Sequence, residues 1–351
     1  MKKWMVMLVV CLSGSAFANE LGLPSLITFG SCTHQNKSQE HWAQIVEVKP
    51  DLFIMLGDNI YGDTRDMAVL KAKWDQLGAV EGFRALKAIC PIEAIWDDHD
   101  YGENDAGASY PLRKESQKLF LDFYGASEDD PRRRREGIYH ATLQEVNGQR
   151  LQIIYLDTRY FRGRLKRMQV KRERGEGFSG PYVPLDDASV TLLGAEQWAW
   201  LEKQLLKPAD LRIVATSIQF VAQDHGWEKW GNLPHERRRM LDLITRTRAN
   251  GVIFISGDRH RGEISRLSDE NAYPLFDITS SALNNAAKGF RNEVNVYRYG
   301  TLYADDNFGS LAIDWAAKDP LVRMQIRSAK NGQVVAQHKV LLSTLTFDAD
   351  R

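Results

Sequence analysis

Leu52 to Asp63 reads LFIMLGDNIYGD, five uninterrupted apolar residues followed by Gly57, Asp58, Asn59, Ile60, Tyr61, Gly62 and Asp63. Pro50 stops the segment before it. The apolar run is too short for a helix and does not alternate, so Leu52 to Leu56 is predicted to be a buried strand. Gly57 lets the backbone turn sharply at its end. Asp58 and Tyr61 then stand just beyond the carboxyl end of that strand, where open α/β sheets bind their ligands.

Outward from this point, strand and helix patterns alternate, which is the signature of an α/β sheet packed with helices. Strands are predicted at Leu26 to Gly30, Glu93 to Trp96, Leu211 to Thr216 and Val252 to Ser256. Two more, Gly137 to Val146 and Gln149 to Leu156, flank Asn147-Gly148, a two-residue hairpin signal. Helical spacing covers Gln39 to Val48, Met67 to Lys87 (as one or two helices), Arg113 to Tyr124, Ala195 to Leu206 and Glu236 to Ala249. Phe161 to Leu193 reads as a long loop rich in Arg, Lys and Gly. Strands from Asn307 to Trp315, Leu321 to Arg327 and Val334 to Leu342 close the chain.

Three further segments share the position of Asp58: Phe29-Gly30-Ser31-Cys32, Trp96-Asp97-Asp98-His99-Asp100 and Gly257-Asp258-Arg259-His260. A single aspartate after a strand usually serves a turn or a cap. Four such ends converging would bring Asp58, Asp97, Asp98, Asp100 and Asp258 into one cleft, where they repel strongly unless a cation sits among them. Metal ions resolve that repulsion, and a two-metal cluster activates a water while clamping both oxygens of a phosphoryl transfer.

In these residues the chain resembles the PhoD-like alkaline phosphatase family of the metallophosphoesterases. The matching segments are FGSC (29–32), GDNIYGD (57–63), WDDHDYG (96–102), LDTRYFR (156–162) and GDRHRGEIS (257–265). Trp230 to Leu243, with Pro234 and Arg237, also fits, so the likeness runs from about Phe29 to Leu283. Five motifs in order are specific where any one alone is weak. The resemblance implies a metallophosphatase-like α/β fold, a sandwich of two sheets flanked by helices, and hydrolysis of phosphate esters with an alkaline optimum. It also implies a binuclear or multinuclear centre whose ligands are Cys32, Asp58, Tyr61, Asp98, Asp258 and His260. Cys32 stands where the wider superfamily has D-x-H, Tyr61 ends the GD-x-x-D motif, and Asp98 and Asp258 replace Asn and His. The donor set is thus rich in anionic oxygen, with phenolate and thiolate suiting ferric iron and carboxylates suiting calcium. In this reading Asp58 bridges the metals, His99 protonates the leaving alkoxide or hydrogen-bonds the phosphate, and Arg159 grips the phosphate oxygens. Asn59 and Asn104 are possible further oxygen ligands.

The chain has 351 residues, 43% hydrophobic and 26% charged, with a formal net charge of zero. Such a composition is that of a globular domain and provides no field to attract nucleic acid. Lys2, Lys3, the apolar run Trp4 to Leu12 and Ala16-Phe17-Ala18 form a signal peptide, residues 1–18, with a single PhoD-like domain at 19–351. A periplasmic or secreted location is expected, with no transmembrane segment in the mature chain and the phosphate-ester substrate as its one deducible partner. A disulfide between Cys32 and Cys90 would remove a metal thiolate, so Cys90 reads as a buried structural thiol. Two rivals keep the same residues: a phosphodiesterase or phospholipase, and a non-catalytic secreted metal-binding module.

Overall fold

A computed structural model describes residues 22–169, 179–289 and 293–347. The signal peptide expected at 1–18 lies outside them, as do Lys171, Arg172 and Arg174 of the basic loop.

The apolar runs become β1 (Leu26–Gly30), β2 (Leu52–Leu56) and β3 (Ile92–Ile95), which pair in parallel with Ile27 opposite Leu52 and Phe53 opposite Ile92. Parallel neighbours need a crossover. Helix α1 (His41–Glu47) joins β1 to β2, and α2 (Met67–Ala79) with α3 (Glu81–Ile89) joins β2 to β3. Trp42 of α1 meets Phe53 and Phe83 edge-on, at ring separations of 5.8 and 5.3 Å, and so fastens two helices to β2. Each such side chain contributes about 2–3 kcal/mol by leaving water. The segment Met67 to Lys87 is therefore two helices, broken where Val80 turns extended (ψ 122°).

Two short helices follow, α4 (Asp98–Tyr101) and α5 (Arg113–Phe123). The hairpin β4 (His140–Val146) and β5 (Gln149–Tyr155) turns at Asn147 and Gly148, both left-handed at φ 52° and 80°. Next come β6 (Lys166–Arg167), β7 (Tyr182–Val183), α6 (Gly194–Leu205), β8 (Leu211–Thr216), α7 (Pro234–Thr247) and β9 (Val252–Ser256). The chain then adds β10 (Gly262–Leu267), β11 (Leu275–Ser280), β12 (Asn307–Asp314), β13 (Leu321–Ser328) and β14 (Val334–Leu341).

These strands form two six-stranded sheets, ordered β14-β13-β12-β1-β2-β3 and β10-β11-β9-β8-β5-β4. β10 and β11 of the second sheet contact β12 and β13 of the first, and helices flank the pair. The two-sheet α/β sandwich expected from the sequence is what the chain forms.

Two features depart from the sequence reading. The stretch Phe161 to Leu193 is not wholly without structure, because Lys166 and Arg167 pair antiparallel with Val183 and Tyr182. And β10 and β11 were not expected at all. Their buried positions include Glu263, Ser265, Asp277 and Thr279, which hide the apolar signal of a strand. Glu263 and Asp277 are tolerated inside because Gln219 and Arg298 bond the first and Ser256 with two backbone amides bonds the second.

Candidate metal centre

The carboxyl ends of β1, β2, β3 and β9 meet at one place. Carboxylate oxygens of Asp58, Asp97, Asp98 and Asp258 lie within 4.8 Å of one another. Cys32 and His260 group with Asp58 in the same way, and so do Asp98 and His99. Asp58 is common to all three groups.

Glycine makes the convergence possible. Gly57 has φ +97°, and a Cβ there would fall 2.4 Å from Cβ of Asp97. A Cβ on Gly257 would fall 2.6 Å from Oγ of Ser31 and 2.9 Å from the carbonyl oxygen of Leu56. The residues beyond these turns carry strain of their own. Cys32, Asp58, Asp258 and His260 all adopt positive φ, at 58°, 49°, 65° and 55°. Non-glycine residues held this way cost on the order of 1 kcal/mol or more each and gather at functional sites.

The donor atoms fit a cation. Oδ1 of Asp58, Oδ2 of Asp97 and Oδ1 of Asp98 are buried without a hydrogen-bond partner, an arrangement that water or protein normally corrects. Burial first, then neighbouring carboxylates, pushes the Asp58 and Asp258 carboxyls and the Cys32 thiol well above their ordinary pKa values. A cation would reverse that preference, since it favours the ionised donors. His260 gives its Nδ1 to the carbonyl of Asn285, which leaves Nε2 with the lone pair a metal takes. Burial lowers its pKa to about 4, so the ring is neutral. The Tyr61 hydroxyl donates to Oδ2 of Asp58 at 3.3 Å and accepts from the Asn285 amide at 2.7 Å. Its ring lies between His34 and His99, with centroids at 4.7 and 4.4 Å.

The structure thus brings Cys32, Asp58, Tyr61, Asp98, His99, Asp258 and His260 together. His99 stands on the first turn of α4, its Nδ1 2.7 Å from Oδ1 of Asp63. Burial alone would lower its pKa, but Asp58, Asp98 and Asp63 push it up to about 11. Asp100 serves the backbone: it accepts from the amides of Asp97 and Asn59 at 2.6 and 3.2 Å and closes a capping box on α4. The Asn59 side-chain amide also donates to Asp100, at 2.6 Å, while its buried Oδ1 has no hydrogen-bond partner.

Arg159 does not face the solvent as a phosphate clamp would. It is fully buried, with Nε donating to Asp97 at 2.5 Å and Nη1 to Glu228 at 2.6 Å, and Nη2 3.6 Å from Asp98. The LDTRYFR loop is held in place by Asp157, which accepts from Trp96, Ile138, Arg159 and Tyr160. Cys32 and Cys90 are both buried free thiols. The sequence reading missed three participants: Glu228 behind Arg159, Asn285 between Tyr61 and His260, and Asp105, whose carboxylate lies within 4.8 Å of those of Asp98 and Glu228. None carries a motif; the WEKW stretch of Trp227 to Trp230 was the nearest local hint to Glu228.

The chain is 23% identical over 304 residues to alkaline phosphatase D of Bacillus subtilis (strain 168), covering 73% of this chain and 48% of that protein. It therefore spans about half the length of that relative. A solved structure of PhoD superposes with a TM-score of 0.67 at 17% identity, over 91% of this chain and 68% of the other. An anchor protein of the inner membrane complex of Plasmodium shares the fold at a TM-score of 0.55 and 12% identity, over 91% and 89% of the two chains. The profile of PhoD-like phosphatases matches residues 27–301, which hold every strand end of the centre, and the chain belongs to the PhoD-like phosphatase family.

Proposed function

We propose that this protein hydrolyses phosphate esters at a centre of iron with calcium held by Cys32, Asp58, Tyr61, Asp98, Asp258 and His260. The observation that supports it most directly is the cluster of carboxylates at the ends of β2, β3 and β9, in which Asp58, Asp97 and Asp98 each keep a buried oxygen without a hydrogen-bond partner. The metals, when bound, supply an activated water and neutralise charge on the phosphoryl oxygens. Asp58, shared by three of the groups of donors, would be the ligand common to both metals. Asp63 orients the His99 ring through its Nδ1. That ring would give a proton to the departing alkoxide as the P–O bond to the alcohol breaks and the water oxygen bonds to phosphorus, and the proton that the water releases would restore the ring. Arg159 positions Asp97 and Asp98 from behind, a role for which its complete burial suits it.

Dialysis against a strong chelator should remove at least nine-tenths of the activity towards 4-nitrophenyl phosphate, and iron with calcium should restore it. Full activity in metal-free protein would overturn the proposal. We further infer that residues 1–18 direct export and are cleaved, so protein recovered from the periplasm or medium should begin near Asn19. A mature protein retaining Met1 would exclude that. No helix among the described residues is long and apolar enough to cross a membrane.

A further inference from the structure

A cavity of about 740 Å³ opens beside the carboxylate cluster, a volume in the range of small-ligand sites. Asp105 forms the shared wall. Its backbone amide donates to Oδ2 of Asp98 at 2.6 Å, and its carboxylate accepts from the Tyr182 hydroxyl and from Arg167 at the cavity wall. The rest of the lining is unusual for a ligand pocket, which is ordinarily apolar. Arg162, Arg164 and Arg167 line it together with Tyr182. Asp105 is the one carboxylate in the lining.

The arginines are not equivalent. Arg162 is buried and committed to Glu228 at 3.1 Å and to the carbonyl of Asp105. Arg167 pairs with Asp105 at 3.2 Å and has its guanidinium 5.2 Å from the centre of the Tyr182 ring. Arg164 is exposed and forms no ion pair with any described residue. The cavity therefore has more guanidinium than carboxylate, in a position next to the phosphate that the metal centre would hold. Among the lining side chains only Leu165 and Ala108 are aliphatic, which leaves little for an acyl chain to bury against.

Resting on the hydrolase reading above, we propose that this cavity receives the alcohol side of the ester and selects alcohols that carry a second phosphate. Arg164 and Arg167 contact that second phosphate, because guanidinium matches its oxygens in a two-pronged fork. Arg162, pinned by Glu228, shapes the floor.

The test uses a matched pair of esters, propane-1,3-diol monophosphate and propane-1,3-diol bisphosphate, with the metal-loaded protein. The ratio of their kcat/KM values should reach roughly tenfold or more in favour of the bisphosphate, well above the factor of two that comes from having two equivalent phosphates. In the Arg164→Ala/Arg167→Ala double variant the ratio should fall to near two, and raised salt should compress it in the wild type. A wild-type ratio of two, or a ratio untouched by the double substitution, overturns the proposal. Binding separates this idea from the hydrolase reading. If neither ester is cleaved, calorimetric titration with propane-1,3-bisphosphonate against propylphosphonate still decides the cavity's ligand. Preference for the bisphosphonate, lost in the double variant, supports the subsite; equal binding excludes it.

Discussion

Tyr61 is packed by two imidazoles and fixed at its hydroxyl by Asp58 and Asn285, so its ring does not depend on a metal for its place. Removing only the hydroxyl therefore tests ligation without unfolding the site. If Tyr61 is a phenolate ligand of ferric iron, the purified protein is coloured, and Tyr61→Phe loses or shifts the visible band while circular dichroism shows the fold retained. An iron-containing wild type with a spectrum indifferent to Tyr61→Phe would assign the ring to packing alone. A second residue, His41, gives a test remote from the metals. It is buried with neither ring nitrogen hydrogen-bonded, and burial lowers its pKa to about 3. The folded state thus binds this proton less readily than the unfolded chain. Its contribution to stability is intact above about pH 6.5 and is lost as the pH falls towards 3, at roughly 1.4 kcal/mol per unit. Urea unfolding at pH 7 and pH 4.5 should show the wild type losing about 2–3 kcal/mol more than His41→Leu. Parallel pH dependence in the two proteins would refute this.

Among the secondary elements, the tight ends of β2 and β9 set the geometry of the donor cluster, and the β4–β5 hairpin provides a contrast. Gly57→Ala places a methyl group against Asp97 at a backbone angle that disfavours any side chain. It should lower stability by about 1–3 kcal/mol and reduce bound iron and calcium, as read by thermal melting and metal analysis. Gly148 has nothing within 4 Å of its added Cβ and sits at φ +80°. Gly148→Ala should therefore cost about 1 kcal/mol or slightly more through backbone strain alone, with metal content unchanged. Equal metal loss in both variants would mean that stability, and not the approach of β2 to Asp97, governs loading.

For the whole molecule, the two sheets carry a cluster of like charges at their shared end, and a ligand that binds only the folded state stabilises it by mass action. Chelation should accordingly lower the melting temperature by several degrees, and re-addition of iron and calcium should restore it, whereas 0.5 M sodium chloride should not. A melting temperature indifferent to chelation would show that the carboxylates are accommodated without metal. A net charge of zero over the whole chain coexists with a local acidic centre, where buried Arg159 is the cation paired with Asp97 and Asp98.

Much of this was legible along the chain. Unbroken apolar runs such as Leu52 to Leu56 and Val252 to Ser256 declare buried strands, and glycine followed by aspartate declares a turn that presents a donor. Strand type and strand ends are local properties, so Cys32, Asp58, Asp98, His99, Asp258 and His260 could be picked out before their convergence was seen. Other features depend on partners far away in sequence. β10 and β11 are strands because Glu263 and Asp277 find hydrogen bonds from Gln219 and Ser256, and no neighbouring residue announces that. Arg159 was legible as a functional residue but not its direction, which Asp97 and Glu228 impose across 62 and 69 positions of chain. The sequence by itself determined which residue types wait at the strand ends. Tertiary structure decided which of them meet, which are already paired, and where a cavity remains, because burying a charge is tolerable only when its partner is delivered to it.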